Sequence, residues 1–416
     1  MRLLLLLLSL SFSINAQECG TPEYMDKLKI AEPDFKHKYN MMESELQNYI
    51  QGIKLRGEFN SNDILEIPCV VHVVHDTSYP EVNICDEQIY EQMDILNRDF
   101  RKLNTDIDSI PYFFQHLTAD MKMEFCLKEI TRTETDRHSF SYWDDAVKSD
   151  YMGGKSPWDT KQYLNIWICN LSWDLLGYAQ FPGLGPDSTD GVVIDYTTVA
   201  EDRDEWDLDS IYSGRVLQHE VGHWLNLRHI WGDHGCDGTD HVDDTPNQGS
   251  LYRDCHQDTI SCDSRDLVMN YMDYVQCSCM RCFTKGQKMR AWGSMALFRR
   301  DILDNTCDEN PNNTRKIDKN LDVKIYPTFT ARFINIKISN LGCEEVEIII
   351  FNHIGRIVKT AKTTKSIDRI NLSGLNNGVY HVLIRYKNKR YIQQITLNKF
   401  SIYGGERKYN QNYEKH

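Results

Sequence analysis

The chain has 416 residues, of which 41% are hydrophobic and 26% charged, so it is long enough for one sizeable core and a smaller one. Its formal net charge is -14, which argues against general affinity for nucleic acids. The charge is unevenly spread, because residues 315–416 carry 19 Lys and Arg against 8 Asp and Glu. This difference suggests two modules with different roles.

The first residues indicate export. Met1 and Arg2 precede an apolar run over 3–14 that is too short to span a bilayer comfortably, and Ala16 offers a cleavage site. We therefore predict a signal peptide over residues 1–16. A membrane anchor is the alternative, but no other long apolar run follows, so we expect no stable transmembrane anchor.

The next 200 residues predict a mixture of helices and strands. Residues 17–56 are polar, with helical periodicity over 25–30 and 41–50, and hold little that could form a core alone. A β-branched run over 67–75 predicts a central strand, and apolar spacing over 87–100 predicts a helix. We expect two further strands at 164–169 and 191–196, and a long helix at 213–227.

The 13 cysteines fit an oxidising compartment, and their odd number leaves at least one thiol unpaired. Seven of them lie between Cys236 and Cys307. Cys69, Cys126 and Cys169 lie instead in apolar, strand-like runs, where we expect buried free thiols.

The sequence changes character near its C-terminal quarter. Residues 311–321 form a turn-rich linker, and residues 322–399 contain short β-type runs separated by turn signals. This pattern is typical of a small all-β sandwich, followed by a tail over residues 400–416.

The segment from His219 to His229 carries the strongest chemical signal. On a helix, His219 and His223 share one face, so both imidazoles can meet one zinc ion. Glu220 lies beside them, where it can act as general base on a zinc-bound water. His229 cannot come from the same face, so the chain must turn after Leu225 to complete a three-ligand site with one open position. A helix with surface histidines is the alternative.

These residues resemble the metzincin motif H-E-x-x-H-x-x-G-x-x-H, with Asn226 in place of the glycine. Asn is the residue next best able to take the left-handed conformation that the turn requires. Residues 268–274 resemble the metzincin Met-turn. The resemblance implies that Met272 forms the floor beneath the histidines and that Tyr274 ligates the metal or hydrogen-bonds the oxyanion. A core strand containing Met and Tyr is the alternative.

Four segments, residues 219–225, 242–248, 270–274 and 283–287, together resemble the pappalysin family, including its small bacterial members. Over residues 57–310 the resemblance implies an α+β metzincin domain with a twisted mixed sheet, an active-site helix and an irregular, disulfide-bonded lower half. It also implies a secreted zinc endopeptidase acting on proteins or peptides, which we expect to be a monomer. The alternatives are a non-catalytic zinc-containing binding protein and a zinc amidase acting on cell-wall peptides.

The same resemblance implies two disulfides, and it leaves the partners of Cys277 and Cys282 open. The implied pairs are Cys236 with Cys262 and Cys255 with Cys279. Some relatives favour basic residues after the scissile bond through an aspartate five residues past the Met-turn methionine. Cys277 stands at that position here, so a preference for Arg or Lys is in doubt.

The resemblance also implies a calcium site in an acid-rich loop, at Asp240 and Thr245. The nearby oxygen-rich side chains suit a hard cation, and they are Asp237, Asp243 and Asp244. A solvated acidic loop without an ion is the alternative.

Cys19, in the run Cys-Gly-Thr, resembles the latency cysteine of related zymogens. A thiolate on the open zinc position blocks substrate and water alike, so residues 17–56 would form a pro-segment. Its removal near Lys54 or Arg56 would free the site. One half of an ordinary disulfide is the alternative for Cys19.

Residues 325–327 and 370–382 resemble the C-terminal sorting domain of the type IX secretion system in Bacteroidetes. The resemblance implies export by that machinery across the outer membrane, to the cell surface or the medium. Two departures are Thr328-Phe329 after Tyr-Pro and the 17 residues that follow Lys399. An adhesion or substrate-binding β-sandwich is the alternative.

Overall fold

The computed structural model describes residues 19–56, 63–200, 214–255, 258–305, 307, 322–339, 346–363, 367–386 and 389–399. They divide into two compact units, one drawn from residues 1–77 and 89–310 and the other from 78–88 and 311–416. The predicted signal peptide, linker and tail lie outside the described residues. No helix within these ranges is long and apolar enough to cross a membrane.

Residues 19–56, the N-terminal segment, form helices α1 (Thr21–Ala31) and α2 (Phe35–Arg56). Both contain the stretches that helical periodicity predicts. The segment has no separate core, and its apolar side chains pack on the rest of the first unit. Tyr24 and Leu28 of α1 join an apolar cluster with Trp167 and Tyr178. The segment therefore depends on the unit it covers.

Four more α-helices and nine strands follow in the residues that the structure describes up to 305. The helices are α3 (Asp86–Phe100), α4 (Tyr112–Gln115), α5 (Val216–Trp224) and α6 (Lys285–Phe298). The strands are β1 (Leu65–Asp76), β2 (Thr118–Ala119), β3 (Met123–Thr135), β4 (Leu164–Cys169), β5 (Gly177–Ala179), β6 (Val192–Asp195), β7 (Ile260–Ser261), β8 (Ser264–Arg265) and β9 (Phe283–Thr284).

Five of these strands form a mixed sheet in the order β3-β1-β4-β6-β5. Strands β3, β1, β4 and β6 run parallel to one another, and the edge strand β5 is antiparallel to β6. Nine consecutive residues of β1, Ile67 to His75, are buried, as expected for a strand covered on both faces. The expected mixed sheet and its central strand are confirmed, and the edge strand β5 lies beside α5.

The structure differs from the predicted helices in two places. Helix α5 has nine residues and ends at Trp224, so it is shorter than the predicted helix over 213–227. At the C-terminal end the cause is Asn226, whose φ of 72° is incompatible with a continuing right-handed helix. Helix α6 was not predicted, although its capping box, formed by Thr284 and Gln287, is a recognisable start signal.

One cysteine prediction is wrong. Cys126 is not a free thiol but forms a disulfide with Cys307, 181 residues away. Its side chain is only partly buried because β3 is an edge strand of the sheet, and a partner can reach it there. Cys69 and Cys169, in the central strands β1 and β4, are buried free thiols as predicted.

The described part of the second unit contains eight further strands. They are β10 (Asp322–Tyr326), β11 (Phe329–Thr330), β12 (Phe333–Ser339), β13 (Val346–Asn352), β14 (Ile357–Thr363), β15 (Ile367–Asn371), β16 (Gly378–Tyr386) and β17 (Lys389–Leu397). They form two sheets, β10-β12-β15 and β11-β17-β16-β13-β14. Alternate residues such as Ile334, Ile336 and Ile338 share one buried core, which confirms the predicted all-β domain.

Candidate metal centre and active site

Helix α5 and the turn after it bring three histidines together. The main-chain amides of Asn226 and Leu227 bond back to the carbonyl oxygens of His223 (2.8 Å) and Gly222 (2.8 Å), which closes the helix end. Asn226 takes the left-handed conformation there. The chain therefore reverses direction and returns His229 to the two histidines of the helix, as the motif predicts.

The three imidazoles converge on one point. Their Nε2 atoms are separated by 3.1 Å between His219 and His223, 3.1 Å between His223 and His229, and 3.3 Å between His219 and His229. Nitrogen atoms at 2.0–2.1 Å from a tetrahedral zinc ion are roughly 3.3–3.4 Å apart. The three atoms thus fit the ligand set of a single zinc ion.

Each ring is oriented through its other nitrogen. The Nδ1 of His219 donates to the main-chain oxygen of Tyr271 at 2.8 Å, and the Nδ1 of His223 donates to that of Leu227 at 2.9 Å. The Nδ1 of His229 donates to the carboxylate of Asp233 at 2.7 Å. A proton held on Nδ1 leaves the Nε2 lone pair available, so these partners prepare all three rings for a metal.

Burial keeps the helix histidines uncharged. Burial, followed by the neighbouring His229, lowers the pKa of His219 to about 3. Burial and the other two imidazoles hold the pKa of His223 well below its usual range. Neutral imidazole is the form that binds metals, so the protein need not lose protons here when an ion enters.

The side chain of Glu220 is fully buried beside the histidines. Its Oε2 accepts a hydrogen bond from the Thr21 hydroxyl at 3.1 Å, while Oε1 has no hydrogen-bond partner among the described residues. Burial raises the pKa of Glu220 to about 8. Gly177 on β5 provides the space, because a Cβ there would lie 2.8 Å from the Glu220 Cγ. No motif in the sequence singled out Gly177, and the Cys-Gly-Thr run pointed to Cys19 without giving Thr21 a role.

Met272 lies directly beneath helix α5 and is fully buried. A Cβ on Gly222 would lie 2.3 Å from the Met272 sulfur, so this sulfur packs directly against the helix backbone at Gly222. The main-chain amide of Met272 is fixed by the Asn270 side chain at 2.9 Å. The predicted floor position is therefore occupied, and it requires glycine on the helix above it.

Two aromatic rings pack against His229 and against each other. The Tyr274 ring lies 4.8 Å from His229, and the Tyr274 hydroxyl donates to the carbonyl oxygen of Cys19 at 3.3 Å. The Trp231 ring stacks on the imidazole, with centroids 4.3 Å apart and planes 5° apart, and its centroid lies 4.9 Å from that of Tyr274. Trp231 was not predicted, since no motif marks it and only the folded turn brings it to the imidazole.

Cys19 closes the open side of the cluster. Its sulfur lies 3.5 Å from the His223 Nε2, and the four ligand atoms of Cys19, His219, His223 and His229 all lie within 4.8 Å of one another. Cys19 also forms a β-bridge with Gly177. Within the described ranges this is the one group of three or more His, Cys, Asp or Glu residues that could hold a metal ion.

Comparisons with known proteins agree with this geometry. The family model described as pregnancy-associated plasma protein-A matches residues 147–296, which include the whole cluster except Cys19. An extracellular metalloprotease of Pyricularia oryzae is 31% identical over 242 residues, covering 56% of this chain and 76% of the relative. One from Arthroderma benhamiae is 31% identical over 245 residues, covering 56% and 79%. The chain belongs to the pappalysin family of metallopeptidases.

Solved structures agree as well. Promirolysin of Tannerella forsythia is 38% identical, with a TM-score of 0.61, and the match covers 69% of this chain and 97% of promirolysin. Mature mirolysin in complex with a cleaved peptide is 43% identical, with a TM-score of 0.54, over 58% of this chain and 96% of mirolysin. This pappalysin is thus a metalloendopeptidase, and its family implies zinc as the metal.

The second unit has a separate match. The family model of the secretion system C-terminal sorting domain covers residues 324–398. The pappalysin therefore carries a type IX sorting domain, and it is secreted or displayed at the cell surface of a Bacteroidetes-type bacterium.

A cavity of about 470 Å³ opens beside the cluster. The residues that line it include Cys19, Glu220, Tyr274, Cys277 and Met280. Cys277, at the position of the specificity aspartate of some relatives, thus lies in the pocket wall and is buried. Cys282 is also buried, and its thiol is free.

Disulfides tie the loops below the cluster together. The structure contains the Cys236–Cys262 and Cys255–Cys279 bonds, the two pairings that the pappalysin resemblance implied. They hold an irregular stretch whose described regular elements are the short strands β7 and β8 and short single turns.

The carboxylates of the acid-rich loop, residues 237–245, contact different partners. Asp240 is buried and accepts bonds from the Thr245 hydroxyl at 2.6 Å and the Val242 amide at 3.1 Å. Asp243 pairs with Lys54 at 2.7 Å. The described carboxylates of this loop form no ligand cluster, and calcium at Asp240 and Thr245 stays a prediction.

Proposed function

We propose that this pappalysin is made as a zymogen. In our proposal His219, His223 and His229 hold zinc, Glu220 is the general base and Cys19 is the latency ligand. The observation that carries it is the convergence of three Nε2 atoms and one thiol sulfur within 4.8 Å of one another, beside the buried carboxylate of Glu220.

Zinc, when bound, would supply Lewis-acid polarisation of water and of the scissile carbonyl group. Glu220 would accept the proton that the attacking water loses and return it to the leaving amine. Burial raises the pKa of Glu220, which makes its carboxylate a stronger proton acceptor than an exposed one.

Tyr274 and the edge of β5 would position the substrate. In the latent chain the Tyr274 hydroxyl donates to the Cys19 carbonyl, and the Gly20 amide donates to the Gly177 carbonyl at 2.9 Å. Both groups become available when the N-terminal segment leaves. The hydroxyl can then stabilise the oxyanion, and the strand edge can pair with an extended peptide.

Latency would come from Cys19 and Thr21 acting together. The thiol occupies the open side of the histidine cluster, and the Thr21 hydroxyl bonds to the general base. Burial raises the pKa of the Cys19 thiol in the absence of a cation, and a bound zinc ion reverses that preference. A cut near Lys54 or Arg56, at the end of α2, would release both contacts.

The test uses the secreted full-length protein, with and without brief trypsin treatment, and gelatin as substrate. We expect cleavage only after trypsin, none after zinc chelation, and recovery on adding zinc. Glu220→Gln should lower the rate by about 100- to 10,000-fold, the usual contribution of a general base, with zinc content unchanged. A folded, zinc-loaded and trypsin-cut protein that cleaves no protein substrate would contradict the proposal and favour a binding role.

A further inference from the structure

The second helix of the N-terminal segment carries an ionic contact away from the metal. The Glu43 carboxylate receives hydrogen bonds from the two terminal nitrogens of Arg290, at 2.8 and 2.7 Å. It also receives one from Arg228 at 3.1 Å. Because of these bonds the pKa of Glu43 falls to about 2, although its burial acts in the opposite direction. A planar guanidinium facing a carboxylate in this way is a specific carboxylate-binding geometry.

Arg290 is held mainly by groups that stay when the segment leaves, whereas Arg228 also lies over the ring of Tyr39 in the segment. Arg290 is fully buried on α6, and its Nε donates to the main-chain oxygen of Asn226 at 2.7 Å. Its other contact to the same residue is with the side-chain oxygen, at 3.2 Å. Asn226 belongs to the turn that carries His229. The receptor for the carboxylate is therefore built on the same rigid turn as the metal centre.

Other carboxylates near the arginines are already engaged. Asp233 is bonded to His229, and Asp240 is bonded within its own loop. In the described part of the chain, the salt bridges of Arg228 and Arg290 both end on Glu43. Departure of the segment leaves two closely spaced guanidinium groups without that carboxylate, one of them deeply buried, which is an unfavourable state for a protein.

We propose that removal of the N-terminal segment uncovers a peptide-carboxylate site at Arg228 and Arg290, which binds an acidic side chain of a protein substrate. This inference rests on the proposed zymogen. The Glu43 side chain stands in for that ligand in the latent chain. The mature enzyme would then recognise substrates at two places, at the metal and at this arginine site.

The experiment compares two forms of one substrate with the trypsin-cut full-length protein. Gelatin and gelatin with amidated carboxyl groups differ in the negatively charged carboxylates that the site would bind. We expect KM to be about tenfold lower for native gelatin, with kcat alike. Arg228→Gln should remove that difference, and Arg300→Gln, which removes an exposed arginine elsewhere, should keep it. Arg228 is chosen because its side chain is partly exposed, whereas replacing the buried Arg290 endangers folding.

A second arm identifies the source of the carboxylate. A peptide of residues 35–56 is added as competitor, together with the same peptide carrying Glu43→Gln. Competition by the first peptide alone, lost in the Arg228→Gln protein, supports the site even if gelatin carboxyls prove irrelevant. The proposal is overturned if neither amidation nor the peptides distinguish the Arg228→Gln protein from its parent. Failure to cleave either gelatin would instead count against the proposed function itself.

Discussion

The two ends of the N-terminal segment contact the catalytic unit in different ways. At one end, Cys19 and Thr21 make a few polar contacts with the histidine cluster and Glu220. At the other end, α2 packs Leu46 and Ile50 around Gly293 of α6 and adds the ionic contact of Glu43. In our proposal the first end blocks the active site, and the second holds the segment in place.

The two contacts also differ in energy. Burying Leu46 completely contributes roughly 1.5–3 kcal/mol, and the paired charges add to it, without any effect on the reacting groups. In our proposal the Cys19 thiol blocks the active site only while α2 holds it at a high local concentration beside the histidines. Blocking and holding are therefore separable, and each can be broken by its own mutation.

Cys19→Ala should have the largest effect. It removes the blocking group but leaves the docking helix, so the uncut chain should gain gelatinase activity. A thiolate contact worth about 2.7 kcal/mol corresponds to about 100-fold. Activity of the uncut protein is the measurement, and Cys69→Ala, which removes a buried thiol in β1, is the control that should stay latent. An uncut Cys19→Ala protein as inactive as its parent would show that α2 alone suffices to block the site.

Glu43→Gln should act on the other end. The uncut chain should stay latent because Cys19 is still tethered, but the cut segment should dissociate about 10- to 100-fold more readily, since charge-assisted hydrogen bonds are lost. Gel filtration of the trypsin-cut protein measures the retained segment. Glu45→Gln, on the exposed face of the same helix, is the matched control. Equal retention of the segment in both variants would remove Glu43 from the docking contact.

Thr21→Val should have the smallest effect. It keeps the shape of the side chain but takes the hydrogen bond from Glu220 and the acceptor from the Ala179 amide, which lies at 2.9 Å. We expect leakage of up to about tenfold in the uncut chain. Thr21→Ser keeps the hydroxyl and should restore latency. Full latency of the Val variant would assign the block to the thiol alone.

Much of the catalytic unit was predictable because its signals are local. The spacing of His219, Glu220 and His223 specifies one helix face, and Asn226 specifies the turn that returns His229. The central strand β1 and the alternating strands of the sorting domain follow from short hydrophobic patterns. Cys126 was predicted wrongly because its pattern does not reveal that β3 lies at a sheet edge, where Cys307 can reach it.

The sequence by itself indicated the family, the sorting domain and the expected metal ligands, since each shows as short motifs of neighbouring residues. Only the tertiary structure decided what surrounds them. Thr21 meets Glu220 across 199 residues and Glu43 meets Arg290 across 247. Such pairs leave no periodicity or spacing in the chain, because packing of distant elements, rather than local backbone geometry, brings their side chains together.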